Sequence, residues 1–398
     1  MADSDERAER AGPPRRARYY LVAPAGFPNY GDELIAAGWL RHLAEVAPDA
    51  DVWVDTHSPG SAAVLLDGLH PRLRFTETLW RLCWEAPSDE PWEIASWVQS
   101  AVHNPGMAPR WHHGIELLAG ADVVHLVGGG YANALWPRHI GLLSGAVAAV
   151  KRSGGRAAMT GQGLLPVRDE TTALLCALAD RFDVVDVRDE PSAELLSVST
   201  GVDDVFLAVR PELYAPAEDA PEVMLCLQSD LLEGGSAKLA AMVLSTLRSW
   251  KVDPERIGVV EGMPRADRDV YALFEHEIPG ARFYPFAEIW DGGLPVAPGQ
   301  TWLSTRFHLH LVAAAGGAPG VAISVRPDYY AVKHRSLAAL GSGWTVHEDL
   351  AAVPDRPAGS GFPAAAVEDY AAAKRAVANR IYPEPPAPRR LWPRLGRS

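Results

Sequence analysis

Ala121-Asp122-Val123-Val124-His125-Leu126-Val127-Gly128-Gly129-Gly130 is a short apolar run that ends on three consecutive glycines. A run of this length with glycine at its exit reads as a buried strand of a parallel sheet, and open α/β sheets bind ligands at the carboxyl ends of such strands. The same unit recurs on both sides. Upstream, Tyr19 to Ala23 reads as a strand, Gly26-Phe27-Pro28-Asn29-Tyr30-Gly31-Asp32-Glu33 as a loop, and Asp32 to Val46 as a helix, with a second strand at Asp51 to Val54. Downstream, Gly141 to Lys151 reads as a helix and Arg156 to Thr160 as a strand that exits on Gly161-Gln162-Gly163-Leu164-Leu165-Pro166. Val184 to Val187 leads into Arg188-Asp189-Glu190-Pro191-Ser192, and Val205 to Val209 reads as the last strand of this half.

A linker rich in Pro, Ala and Glu at about 211–221 separates the two halves. The alternation then restarts, with strands at Val223 to Leu227, Ile257 to Val260, about Thr301 and Gly320 to Val325, and helices near Ala237 to Trp250 and through Leu311. The pattern predicts an α/β protein of two Rossmann-like domains, 19–212 and 220–382, facing a central cleft. An Ala-rich helix at about 364–381 is expected to pack back across the domains. Residues 1–18 read as disordered and 383–398 as a Pro/Arg-rich solvated tail. One stretch breaks the alternation. Residues 75–115, with Trp80, Trp84, Trp92, Trp97 and Trp111, read either as a helical insertion with its own small core or as an aromatic platform for a sugar or lipid-linked acceptor.

The chain has 398 residues and a net charge of −13, which argues against bulk nucleic-acid binding and requires any anion site to be a local basic pocket. Three dispersed cysteines, Cys83, Cys176 and Cys226, fit a reducing compartment. With no apolar leader and no unbroken apolar run long enough to span a bilayer, the expected location is the cytoplasm. No cofactor is called for, and the oligomeric state is left open.

The Gly26–Glu33 loop opens a helix, whose free amide donors suit phosphate or carboxylate, yet it lacks the Gly-Lys-Ser/Thr ending of a phosphate-binding P-loop. Asp32 reads as the helix cap. The glycine exits at Gly128–Gly130 and Gly161–Gly163 are tight connections or cleft loops. Ser304-Thr305-Arg306-Phe307-His308 carries the most chemistry: if extended, Ser304, Arg306 and His308 share a face, pairing an anion-binding guanidinium with a side chain that titrates near neutrality. Tyr330-Ala331-Val332-Lys333 brings another cation nearby. The pair His112-His113 is too sparse for a metal site.

The ordered set Asn29-x-Gly31-Asp32-Glu33, Gly128–Gly130, Gly161-Gln162-Gly163 with Pro166, Arg188-Asp189-x-x-Ser192, Ser304-x-Arg306-x-His308 and Tyr330-x-x-Lys333 resembles the polysaccharide pyruvyl transferase family over about residues 19–335. The resemblance implies a GT-B-like fold and transfer of a pyruvyl group from phosphoenolpyruvate to saccharide or glycoconjugate hydroxyls as a ketal. It implies that His308 and Arg306 are catalytic, that Arg306, Ser304, Lys333 and Tyr330 bind the donor, and that Asn29, Gly31, Asp32, Gly128, Gly129, Gly130, Gln162, Arg188 and Asp189 face the acceptor or cleft. The chain departs from the family where relatives often carry an arginine: it has Gln228 after the Val223–Leu227 strand, with Arg265 or Arg326 as compensating candidates. Alternatives are another transferase using a nucleotide-sugar or other phosphorylated donor, and a non-catalytic member.

Overall fold

A computed structural model describes residues 15–216 and 220–382. The start of the segment expected to be disordered, part of the 211–221 linker and the whole 383–398 tail lie outside the described residues. Two parallel six-stranded sheets form from them. The first holds β1 (Arg18–Val22), β2 (Asp51–Asp55), β3 (Leu73–Thr76), β4 (Val123–Leu126), β5 (Arg156–Gln162) and β6 (Val184–Val187), in the order β3-β2-β1-β4-β5-β6. The second holds β7 (Val223–Cys226), β8 (Ile257–Val260), β9 (Arg282–Tyr284), β10 (Thr301–Ser304), β11 (Gly320–Ile323) and β12 (Thr345–His347), in the order β12-β11-β10-β7-β8-β9. Each sheet reverses direction beside its first strand, between β1 and β4 and between β7 and β10. That reversal opens a crevice at the strand exits. The central strands β4, β7 and β10 are buried along their whole length, as strands covered on both faces must be.

The Trp-rich stretch has no core of its own. Its helices Thr78–Glu85, Pro91–His103 and His112–Leu118 join the core on one face of the first sheet. They close on the helix Ile140–Ser153 at Gly141 and Gly145, where a Cβ would lie 2.7 Å from Cys83 Sγ and 2.3 Å from Leu79 Cδ1. Trp80 is buried, whereas Trp84 and Trp92 are exposed, so the five tryptophans form no single platform.

Val205–Ala208 is a helical turn, not the expected strand. The Asp203 side chain accepts the Val205 N–H at 2.8 Å, a local side-chain-to-backbone bond that competes with an extended run. The neighbouring Asp204 accepts from Gly128 N (2.8 Å), Trp39 Nε1 (2.6 Å) and Thr160 Oγ1 (2.6 Å), tying the exit of β4 to the first helix and to β5. The C-terminal helix Ala364–Ile381 does return to the first half: fully buried Lys374 pairs with Asp204 at 2.9 Å and with Asp186. Burial opposes the charge on Lys374, but Asp204 and then Asp186 raise its pKa, so the ammonium persists. No helix of the described residues is long and apolar enough to cross a membrane.

Candidate functional site

Strand exits of both sheets meet across a cavity of about 520 Å³. The β1 exit contributes Asn29 and Asp32, the β4 exit Gly130, the β6 exit Arg188, and the second sheet supplies Arg306, His308, Tyr330 and Lys333. The halves are joined there by hydrogen bonds: Tyr30 N donates to Gly262 O at 2.8 Å, and Tyr329 Oη donates to Gly130 O at 3.0 Å.

The segment Ser304–His308 is not extended throughout. Strand β10 stops at Ser304, Arg306 precedes the helix Phe307–Ala315, and His308 lies in its first turn. The three side chains therefore share no strand face. Ser304 is fully buried and closes the turn, its Oγ within 3.1 Å of both Arg306 N and Arg306 O. Arg306 and His308 still reach the cavity, because the tight turn changes their directions.

Arg306 lies against the wall with its guanidinium engaged. Asp267 accepts from Nε at 2.9 Å and Nη2 at 2.5 Å; Asp230 accepts from Nη2 at 2.6 Å and Nη1 at 3.3 Å. Asp267 is buried and also accepts the Gly262 and Met263 N–H groups at 2.9 Å, whereas the Asp230 side chain is 35% exposed. Gln228 Nε2 bonds Tyr330 Oη and Asp230 O, both at 2.8 Å. Arg265 is exposed, on a left-handed backbone conformation at φ 71°, and does not line the cavity.

His308 Nε2 lies 3.5 Å from Arg188 Nη1 and 3.5 Å from Asp203 Oδ2. Its ring fits only because residue 31 is glycine: a Cβ there would lie 1.7 Å from His308 Nδ1. Arg188 donates to Asp203 at 2.7 Å and packs over the Phe307 ring at 4.4 Å. Burial would raise the Asp203 pKa, but His308 and then Arg188 hold it well below the usual carboxylate range. Burial would likewise discharge Arg188, and Asp203 followed by Asp189 keeps it charged.

Lys333 differs from the other cations. Its Nζ sits 3.4 Å from the centre of the Tyr329 ring and 2.6 Å from where a Gly130 Cβ would be, and it pairs with no carboxylate among the described residues. Burial, then the neighbouring Arg188, depresses its pKa well below that of a free lysine. Asp32 faces the same space, and burial raises its pKa against the opposing pull of His308, Arg188 and Lys333. The helix cap is Asn29, which accepts Gly31 N at 3.2 Å, so Asp32 is free for the cleft.

Several predicted residues serve the frame. Gln162 is buried and donates to Val127 O at 2.7 Å; Gly128 donates to Asp204; Gly129, at φ 153°, packs on Tyr131; Asp189 caps the helix Glu190–Leu196 through Ser192 N at 2.9 Å. The sequence reading missed Asp203, Asp230, Asp267, Tyr329, His57, Trp136 and His139. Only the Asp203-Asp204 pair beside an apolar run gave a usable signal. No cluster of potential metal ligands occurs among the described residues.

A sequence model described as polysaccharide pyruvyl transferase matches residues 29–327. No curated protein gives a significant match. Among solved structures, the fold is similar to a protein assigned as a UDP-N-acetylglucosamine 2-epimerase from Listeria monocytogenes, at 11% identity, TM-score 0.50, with 93% of this chain and 92% of that one covered. It is also similar to UDP-GlcNAc 2-epimerase from Neisseria meningitidis, at 10% identity, TM-score 0.50, with 85% and 88% covered. These likenesses show the two-domain GT-B-like α/β fold.

Proposed function

Because the chain belongs to the polysaccharide pyruvyl transferase family, we propose that it transfers the pyruvyl group of phosphoenolpyruvate to two hydroxyls of a saccharide or glycoconjugate, forming a ketal and releasing phosphate. The observation that carries this reading is Lys333: a buried amine that borders the cavity beside Arg188, whose pKa burial and Arg188 lower, and that pairs with no carboxylate among the described residues, so it is available to an incoming anion. Lys333 and Arg188 then hold the phosphate. Arg306 takes the donor carboxylate, with the substrate displacing the partly exposed Asp230 from a bidentate position of the same shape.

In this reaction His308 protonates the methylene carbon, leaving positive charge on the adjacent carbon. One acceptor hydroxyl adds there, the bond from that carbon to the phosphate oxygen breaks, and the second hydroxyl closes the ketal. Of the two hydroxyl protons, one replaces the proton given to the methyl group and the other leaves with phosphate. The acceptor lies against the first half, and the donor's carboxylate lies against the second with its phosphate between Lys333 and Arg188. Phosphate release from phosphoenolpyruvate in the presence of a diol-bearing glycan tests this. His308→Ala is expected to abolish release while leaving phosphoenolpyruvate binding in place; release that survives in this variant would refute the assigned role.

Gln228 and the double engagement of Arg306 favour a second reading, in which the same site takes a different phosphorylated donor such as a nucleotide-sugar. Binding of a nucleotide-sugar without binding of phosphoenolpyruvate distinguishes it.

A further inference from the structure

The first-half wall of the cleft carries a cluster of rings that the donor chemistry leaves unused. His57 lies on Trp80 with ring centres 3.8 Å apart, and Trp80 meets His139 edge-on at 4.9 Å. Trp136 runs parallel to His139 at 6.2 Å and 9°. His57, Tyr131, Trp136 and His139 all border the cavity, and Trp80 backs them. Trp136 also meets Tyr329 edge-on at 6.2 Å, the ring that carries Lys333, so the cluster adjoins the proposed anion pocket.

The hydrogen-bonding state of this wall follows from its contacts. His139 Nδ1 lies 2.8 Å from Tyr131 O, which only accepts, so the proton sits on Nδ1 and Nε2 keeps its lone pair. Burial pushes both imidazoles down to about 4; Arg81 adds to the effect at His57, and the Tyr131 carbonyl only partly opposes it at His139. Both rings are therefore neutral at neutral pH. The neighbouring guanidiniums are committed elsewhere, Arg81 to Glu77 and Arg138 to Asp89 and three backbone carbonyls. The wall thus offers aromatic faces and uncharged acceptor nitrogens, with no counter-charge for an anion.

We infer that this wall is a subsite for an uncharged pyranose ring, its C–H face packed on Trp136 and its hydroxyls donating to the imidazoles of His57 and His139. Pyranoses present apolar C–H faces and equatorial donors, which match a partly buried indole beside neutral imidazoles. A uronate or sulfated sugar would bring a carboxylate or sulfate to a wall that desolvates it without a partner. The inference rests on the pyruvyl-transfer reading only in naming the bound ring the acceptor; the subsite stands on the wall itself.

Saturation-transfer NMR on the full chain, with saturating phosphoenolpyruvate, would compare methyl gluco-, galacto- and mannopyranosides with methyl glucuronide. At least one neutral glycoside is expected to bind saturably, and the glucuronide more weakly than its gluco counterpart. Trp136→Ala should weaken neutral-glycoside binding roughly tenfold, about what loss of one stacking contact removes, while Trp136→Phe keeps most of it. A thermal melt checks that the alanine variant is folded, and His57→Leu gives a second variant expected to weaken binding. Glucuronide binding as tight as the neutral sugar, no neutral glycoside binding, or full binding by both folded variants would overturn the inference. Titrating glycoside and phosphoenolpyruvate each alone separates the two readings: glycoside binding with no phosphoenolpyruvate binding removes the donor assignment alone, and the reverse removes the subsite alone.

Discussion

Asp230 holds the Arg306 guanidinium by both of its oxygens, in the geometry with which arginine receives a substrate carboxylate. Asp230 is therefore a competitor of the donor under the proposed function. Asp230→Asn should tighten phosphoenolpyruvate binding several-fold in a calorimetric titration, since it removes one negative charge from the position that the donor must occupy. Unchanged or weaker affinity would mean that the donor does not reach Arg306. At this scale the sequence pointed to Arg306 and His308 as the catalytic pair, and both line the cavity, because a strand exit followed by an arginine and a histidine is legible locally. It gave no warning that Asp230 and Asp267, 76 and 39 positions away, would close on that arginine. Long-range carboxylate partners leave no periodic trace, and His57, Trp136 and His139 were silent for the same reason.

The helix Tyr30–Val46 is the element on which the site is built, with its first turn against His308 and its buried face in the core. Gly31→Ala keeps helix propensity and adds a Cβ where the His308 ring now lies. The variant is expected to melt within a few degrees of wild type yet lose roughly a hundredfold or more in turnover, the scale of a displaced general acid. Near-normal turnover would show that His308 tolerates displacement.

Glu33, on the same helix, accepts Gly26 N at 2.7 Å and is buried, which raises its pKa to about 8 from 4.5, with Asp32 adding to the effect and the Gly26 bond opposing it. A carboxyl with a raised folded pKa contributes stability that is whole below about 4.5 and is lost as pH rises through about 8. Glu33→Gln keeps the acceptor oxygen without the titration, so its melting temperature should exceed that of wild type at pH 9 and the difference should shrink toward pH 6. Parallel stability curves would contradict the assignment.

Elements were legible wherever strand and glycine exit coincided. The exceptions have local causes. Val205–Ala208 is apolar enough for a strand, but the bond from Val205 N–H to the Asp203 side chain favours a helical turn there, and Ser304 Oγ closes a turn that breaks the extended reading of Ser304–His308.

Across the whole molecule, both sheets share one strand order, so each switch point opens toward the other and places the motif loops around one cavity. That alternation was legible in the sequence, and so was the return of the C-terminal helix. The anchor of that helix was not, because a lysine in an Ala-rich helix reads as solvated, while Lys374 is buried between Asp186 and Asp204. The central claim is that the cavity captures phosphoenolpyruvate through the unpaired, desolvated Lys333. The most direct test is calorimetric titration of phosphoenolpyruvate into wild type and Lys333→Met. Wild type is expected to bind saturably and the variant tenfold or more weakly, as for loss of a charged hydrogen bond of about 1.5–3 kcal/mol. Absence of binding to wild type, or equal binding by the two proteins, would contradict the claim.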